Sequence, residues 1–105
     1  MIALMALAAT RDGRALGHIE GNLTADYEEV SLVAARAAGM SGSEAGYGVA
    51  LEGIKSTLAR QRMLAAFAFG AIGRSDAQEY LAPLLKDKEP DVRLAAATAL
   101  LQLKN

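Results

Sequence analysis

The sequence predicts an all-α chain, an α-solenoid of about three stacked helical hairpins with one leading helix. Three observations carry this. A set of small and apolar columns recurs every 31 residues. Each period holds two distinct helical faces. Alanine supplies about a fifth of the 105 residues, while aromatics make up 5% and Trp is absent, which suits closely packed helices better than a sheet of β-branched and aromatic residues.

The clearest copy of the first face is Val92 to Leu103. A shift of 31 positions sets Arg93 on Arg62, and Ala96, Ala97 and Ala99 on Ala65, Ala66 and Ala68. Leu100 falls on Phe69 and Leu103 on Ile72. A second shift reaches Ala34, Ala35 and Ala37, with Gly70 on Gly39 and Gly73 on Gly42. A third brings Ala34 and Ala37 onto Ala3 and Ala6, so the first helix joins the series. One alanine match would mean little in this composition, but a column set that holds its period is the signature of a repeat architecture.

Between these stretches, Ala77, Leu81, Leu84 and Leu85 lie at i, i+4, i+7 and i+8, one side of a second helix. Gly46, Ala50, Gly53 and Ile54 are their counterparts one period earlier, and Ala15, Ile19, Asn22 and Leu23 two periods earlier. Helices are expected near 1–10, 13–23, 27–39, 44–55, 58–72, 76–86 and 91–103. Ser75 and Gln78 have the spacing of a capping box, and Asp26 could cap in a similar way. Pro90 suits a first helical turn, where its missing N–H would be unpaired anyway. Gly42 and Gly73 suit helix-closing turns. The chain then divides into a half repeat (1–10) and repeats at 12–41, 43–73 and 74–103. Both ends lack a polar capping repeat, so the expectation is a piece of a longer solenoid, with self-association through open ends as the second possibility.

Ala-Ala-Phe-Ala-Phe-Gly-Ala-Ile-Gly at 65–73, Leu81-Ala82-Pro83-Leu84-Leu85-Lys86-Asp87, and Pro90-Asp91-Val92-Arg93 together resemble the HEAT-repeat family, in particular its short PBS-lyase HEAT-like form. The likeness is strongest over 57–103, fair over 26–56 and weak before that. It implies a right-handed superhelix whose second helices line a concave side. It also implies a ladder between neighbouring repeats, built on an Asp in the turn and an Arg six residues later. Asp87 and Arg93 match that spacing, but the earlier pairs are Ser56 with Arg62 and Ala25 with Ser31, so the ladder is incomplete.

On the second helices, the outward columns are Met1, Leu32, Met63 and Leu94; Met5, Arg36, Phe67 and Thr98; and Ala8, Gly39, Gly70 and Leu101. Leu32, Arg36, Met63, Phe67, Leu94, Thr98 and Leu101 are therefore the candidate interaction surface, an apolar groove with one Arg. The competing reading buries these residues among tightly wound helices. A protein or peptide partner and a noncatalytic scaffold are expected. The alternatives are a lyase-type module that binds a tetrapyrrole or similar ligand, which the family resemblance suggests, and a structural spacer.

Other chemistry finds little support. Without Cys there are no disulfides, thiolate sites or Cys nucleophiles. His18, the single His, aligns with Val49 and Tyr80 and reads as packed or surface rather than ligating. Deoxyhypusine hydroxylases, which resemble this repeat, carry paired His-Glu dipeptides for iron; here the string is His18-Ile19-Glu20. Asp87, Glu89 and Asp91 lack the Gly and closing Glu of a calcium loop, and like Asp26, Glu28 and Glu29 they suit helix N-termini. The Gly-rich stretches at 39–43 and 46–48 lack the Lys of a phosphate loop. No metal or cofactor is expected. A net charge of -1 and arginines scattered over different columns argue against nucleic acid. No run approaches the roughly 18 apolar residues of a membrane span, and Met1–Ala9 lacks the basic start of a signal peptide. The compartment stays open, with the cytoplasm favoured.

Overall fold

The computed structural model describes Glu20 and residues 28–103. The expected helices at 1–10 and 13–23, apart from Glu20, lie outside the described residues, as do His18, Asp26 and the half repeat 1–10. Among the described residues the chain is all helical, with no strand. The long helices are α1 (Glu28–Met40), α3 (Ala59–Ile72) and α5 (Pro90–Gln102). They alternate with shorter segments, α2 (Tyr47–Gly53) and α4 (Gln78–Leu81), the latter flanked by 3-10 turns at Ser75–Ala77 and Ala82–Lys86. α1, α3 and α5 pack side by side in one layer, and α2 and α4 with its 3-10 turns form a second layer against them.

The two layers differ in regularity for local reasons. The long helices are rich in alanine, the best helix former, and α5 opens on Pro90 in its first turn. Gly42 (φ 90°) and Gly73 (φ 77°) follow α1 and α3 in the left-handed conformation that only glycine adopts freely, and the Gly73 N–H closes α3 on the Phe69 carbonyl at 2.9 Å. α2 is shorter than the expected 44–55 because Gly46, Gly48 and Gly53 lower its helix propensity. The second short helix breaks into α and 3-10 pieces around Pro83, which cannot donate the i→i−4 hydrogen bond. The expected Ser75–Gln78 capping box does not form. Ser75 is itself inside the 3-10 turn, Arg74 takes the extended cap position (φ −72°, ψ 131°), and no side chain caps it.

Small residues fill the seams of the long-helix layer. Ala34, Ala35, Ala37, Ala38, Ala65, Ala66, Ala68, Ala95, Ala96 and Ala99 are all fully buried. The backbones come close enough that a Cβ on Gly39 would lie 2.8 Å from the Ile72 nitrogen, and one on Gly70 would lie 2.9 Å from the Ala99 Cα. Larger side chains gather where the layers meet. Phe69 is fully buried with Leu81 and Val92 in the same cluster. Its ring meets Tyr47 edge-on at 5.3 Å and stacks on Tyr80 at 6.0 Å, so one aromatic line crosses from one hairpin to the next.

The seam makes a direct prediction. Ala66 is buried and its counterpart Ala97 is exposed. Ala66→Leu should lower stability by about 1–3 kcal/mol through overpacking, while Ala97→Leu should change it by less than about 0.5 kcal/mol. Chemical denaturation of the two variants checks both values.

Candidate functional site: the long-helix face and its flank

The candidate surface residues separate into three groups. Leu32 is 1% exposed and belongs to the core rather than to any groove. The reason is Gly53, where a Cβ would lie 2.6 Å from Leu32 Cδ2, so the missing side chain of α2 makes the hole that Leu32 fills. Arg36, Met63 and Phe67 are half-buried and Thr98 is exposed, and together they occupy the outer face of the long-helix layer. Leu94 and Leu101 are exposed at 69% and 88%, and lie toward the flank of α5 that α3 does not cover.

Repeat spacing sets Arg36 and Phe67 next to one another on α1 and α3, and the side chains meet. The Arg36 guanidinium carbon lies 4.7 Å from the Phe67 ring centre. Such a pair holds a cation over the aromatic face while leaving its N–H groups available. Among the described residues Arg36 has no carboxylate partner, unlike its neighbours. Arg60, on the same face, is paired with Glu29 at 3.1 Å. Met63 and Phe67 lean on the main core cluster, so this face is apolar at its base with the Arg36 cation, and the Arg60–Glu29 pair, above it.

The turns carry the polar framework. Arg62 Nε and Nη2 donate to the Asp87 carboxylate at 2.8 and 3.1 Å, and its Nη1 donates to the Ser56 carbonyl at 2.9 Å. Both side chains of this ion pair are about one-tenth exposed. The pair joins one repeat to the next. Asp87 and Arg93 also meet, but through the backbone: Arg93 Nη1 donates to the Asp87 carbonyl at 2.7 Å. One period earlier, Ser56 stands where Asp87 stands, and its hydroxyl donates to Gln61 at 2.5 Å. Ser56 and Asp87 still shape their turns alike, accepting from the N–H two residues on, Leu58 at 3.1 Å and Glu89 at 3.0 Å. The Arg62 hydrogen bond comes first, with its charge, in holding the Asp87 carboxyl below its ordinary range.

A second polar group was not visible in the repeat. Arg74 lies over the Tyr47 ring at 4.1 Å and donates to both Asp76 oxygens, at 3.1 and 2.6 Å. Glu44 sits 3.6 Å from the same guanidinium, and the Tyr47 hydroxyl donates to Asp76 at 3.3 Å. Burial, then the Asp76 charge and hydrogen bond, push the Tyr47 hydroxyl up to about 12. This clasp has no counterpart one period earlier, where Arg74 and Asp76 align with Ser43 and Ala45.

Among the described residues no group of three or more His, Asp or Glu is placed to hold an ion, and the Asp87 carboxylate is paired with Arg62. No described helix is long and apolar enough to cross a membrane.

Stacked hairpins, small-residue seams and an inter-repeat Asp–Arg bond are now established in three dimensions, and a family model for HEAT repeats matches residues 49–105, more than half of the chain. The chain belongs to the HEAT-repeat family. HEAT repeats are commonly protein-interaction scaffolds. Among curated proteins none matches this chain.

Two outcomes test the framework. Asp87→Asn should cost about 2 kcal/mol, because it leaves a shielded guanidinium without its counter-charge. Asp87 titrates lower in the folded state, so its contribution is present above the ordinary carboxylate range and fades as pH falls through the lowered value. Denaturation midpoints from neutral to acid pH should therefore converge for wild type and Asp87→Asn. Tyr47 behaves oppositely: its raised value contributes stability below about pH 10 that is lost as pH rises toward 12. Tyr47→Phe should flatten that alkaline decline in thermal melts.

Proposed function

We propose that this HEAT-repeat chain is a noncatalytic interaction scaffold that binds a protein or peptide on the outer face of the α1–α3–α5 layer. The observation that carries the reading is Arg36. Its guanidinium lies over the Phe67 ring with no carboxylate partner among the described residues, while the other arginines of the long helices hold carboxylates or turn carbonyls. A guanidinium in that state is a preset donor for an incoming acceptor. Met63 beside it and Thr98 on α5 extend the face with an adaptable apolar contact and a hydroxyl. Exposed Met40, at the end of α1, adds apolar area.

Within the family, we infer the short PBS-lyase HEAT-like form. The 31-residue period, the Leu-Ala-Pro-Leu-Leu-Lys-Asp turn approach at 81–87 and the Pro90–Arg93 start of α5 support that subtype.

The test avoids core positions. Arg36→Glu combined with Thr98→Glu changes only half-buried or exposed side chains. Affinity capture at native abundance should lose its specific partner with this variant, while the thermal melt stays within about 2 °C of wild type. A partner retained at full yield by the variant, with the melt unchanged, would overturn the face assignment.

A further inference from the structure

Two outward stripes run side by side on the long-helix face, and on the scaffold reading they fix the chemistry of what binds there. On α1 the stripe is Glu29, Val33, Arg36 and Met40, at i, i+4, i+7 and i+11. On α3 it is Arg60, Met63, Phe67 and Ala71, at i, i+3, i+7 and i+11. Two contacts bridge them: Arg60 pairs with Glu29 at 3.1 Å, and Arg36 lies over Phe67 at 4.7 Å. α3 has α1 on one side and α5 on the other, so its stripe already carries the cover that successive repeats give.

From the N-terminal ends of the helices, the strip runs ion pair, apolar, cation, apolar. Val33 and Met63 follow the Glu29–Arg60 pair, then comes Arg36 over Phe67, then Met40, 39% exposed, in the row of Ala71. One unneutralised charge therefore stands between two apolar steps. Four residues of helix rise about 6 Å, which separates Met40 from Arg36 and Met63 from Phe67 along the axes. Side chains on one face of an extended chain are about 6.6 Å apart. The two spacings agree.

Charge decides the occupant. With Arg60 given to Glu29, the strip carries one net positive charge, the complement of a single carboxylate. A phosphate monoester, near −2, would stay half-neutralised, and a nucleic-acid backbone would meet one cation where it needs several. Outside the described residues the acidic side chains are Asp12 and Asp26. In the 31-residue register these align with Ser43 and Thr57, which lie in turns, whereas Met5 aligns with Arg36. A second folded copy needs about 20–30 residues a side, far more than this strip offers.

We propose that the α1–α3 strip takes an extended segment of a separate protein in which one Asp or Glu stands between apolar residues at i−2 and i+2. The carboxylate engages Arg36, and the apolar side chains rest on Met40 and Met63, whose unbranched thioethers adapt to differing shapes.

The probe is the peptide Gly-Ser-Leu-Ser-Glu-Ser-Leu-Ser-Gly, titrated into the full chain and followed by the methionine methyl signals in NMR, assigned with Met40→Leu and Met63→Leu. The Met40 and Met63 signals should shift saturably. Gln in place of the central Glu should weaken binding about tenfold, the scale of one charge-assisted pair, and Arg36→Gln in the chain should erase the difference between the two peptides. Moving both Leu next to the Glu should also weaken binding. Equal affinity for the Glu and Gln peptides, tighter binding of a phosphoserine peptide, indifference to the Leu spacing, or no saturable shift would each overturn the proposal. So would tighter peptide binding by the Asp12→Asn or Asp26→Asn chain, which would put an internal carboxylate on Arg36, or a dimer in sedimentation that Arg36→Gln dissolves. The scaffold reading fails separately, when the Arg36→Glu, Thr98→Glu chain keeps its captured partner, whatever the peptides do.

Discussion

Backbone proximity between the long helices is the constraint on which the rest of this structure depends. Where Gly39 meets Ile72 and Gly70 meets Ala99, there is no room for a side chain. Alanine lines the remaining seam. Helices this close gain dispersion contacts along their whole length and leave no volume between them for large residues. Phe69, Leu81 and Val92 are displaced to the boundary between layers, where the short helices cover them. An irregular second layer is sufficient for this, since α2 and the broken α4 segment need only cover that boundary. Gly53 shows how missing bulk there is filled from below by Leu32.

Polar groups hold the register that apolar seams alone would leave loose. Alanine columns resemble one another, so a slipped pairing of hairpins would lose little apolar contact. A bidentate arginine–carboxylate bond tolerates far less displacement. Arg62 reads both its own turn, at Ser56, and the next, at Asp87, which ties the two turns at one spacing. Because each hairpin touches mainly its neighbours, such latches act locally, and their effects sum along the stack rather than spreading through one shared core.

Much of the architecture was legible as a period. α1, α3 and α5 fall within about one residue of the expected spans because alanine columns, Pro90, Gly42 and Gly73 all state the same boundaries. The short helices were less so, since Pro83 and the glycines of α2 had to be weighed against an apolar face that points the other way. Ser75 had the right spacing for a cap but the wrong backbone conformation, which spacing cannot report. Leu32 was assigned outward with its column, although the hole that takes it is made by a glycine on another helix. Among the described residues the Arg74 clasp occurs once, so recurrence along the chain does not reveal it. The repeat spacing pairs Asp87 with Arg93, but the Asp87 carboxylate turns to Arg62 of the preceding repeat and only its carbonyl meets Arg93.

The aromatic line through Tyr47, Phe69 and Tyr80 gives the molecule an internal optical marker. With no Trp in the chain, tyrosine dominates its near-ultraviolet signal. Two of its three tyrosines sit against one buried ring, one from the same hairpin and one from the hairpin that follows. Ellipticity in that band therefore tracks whether successive hairpins are seated, separately from the far-ultraviolet signal of helix content. A state in which helices persist while hairpins come apart would announce itself in unlabelled protein.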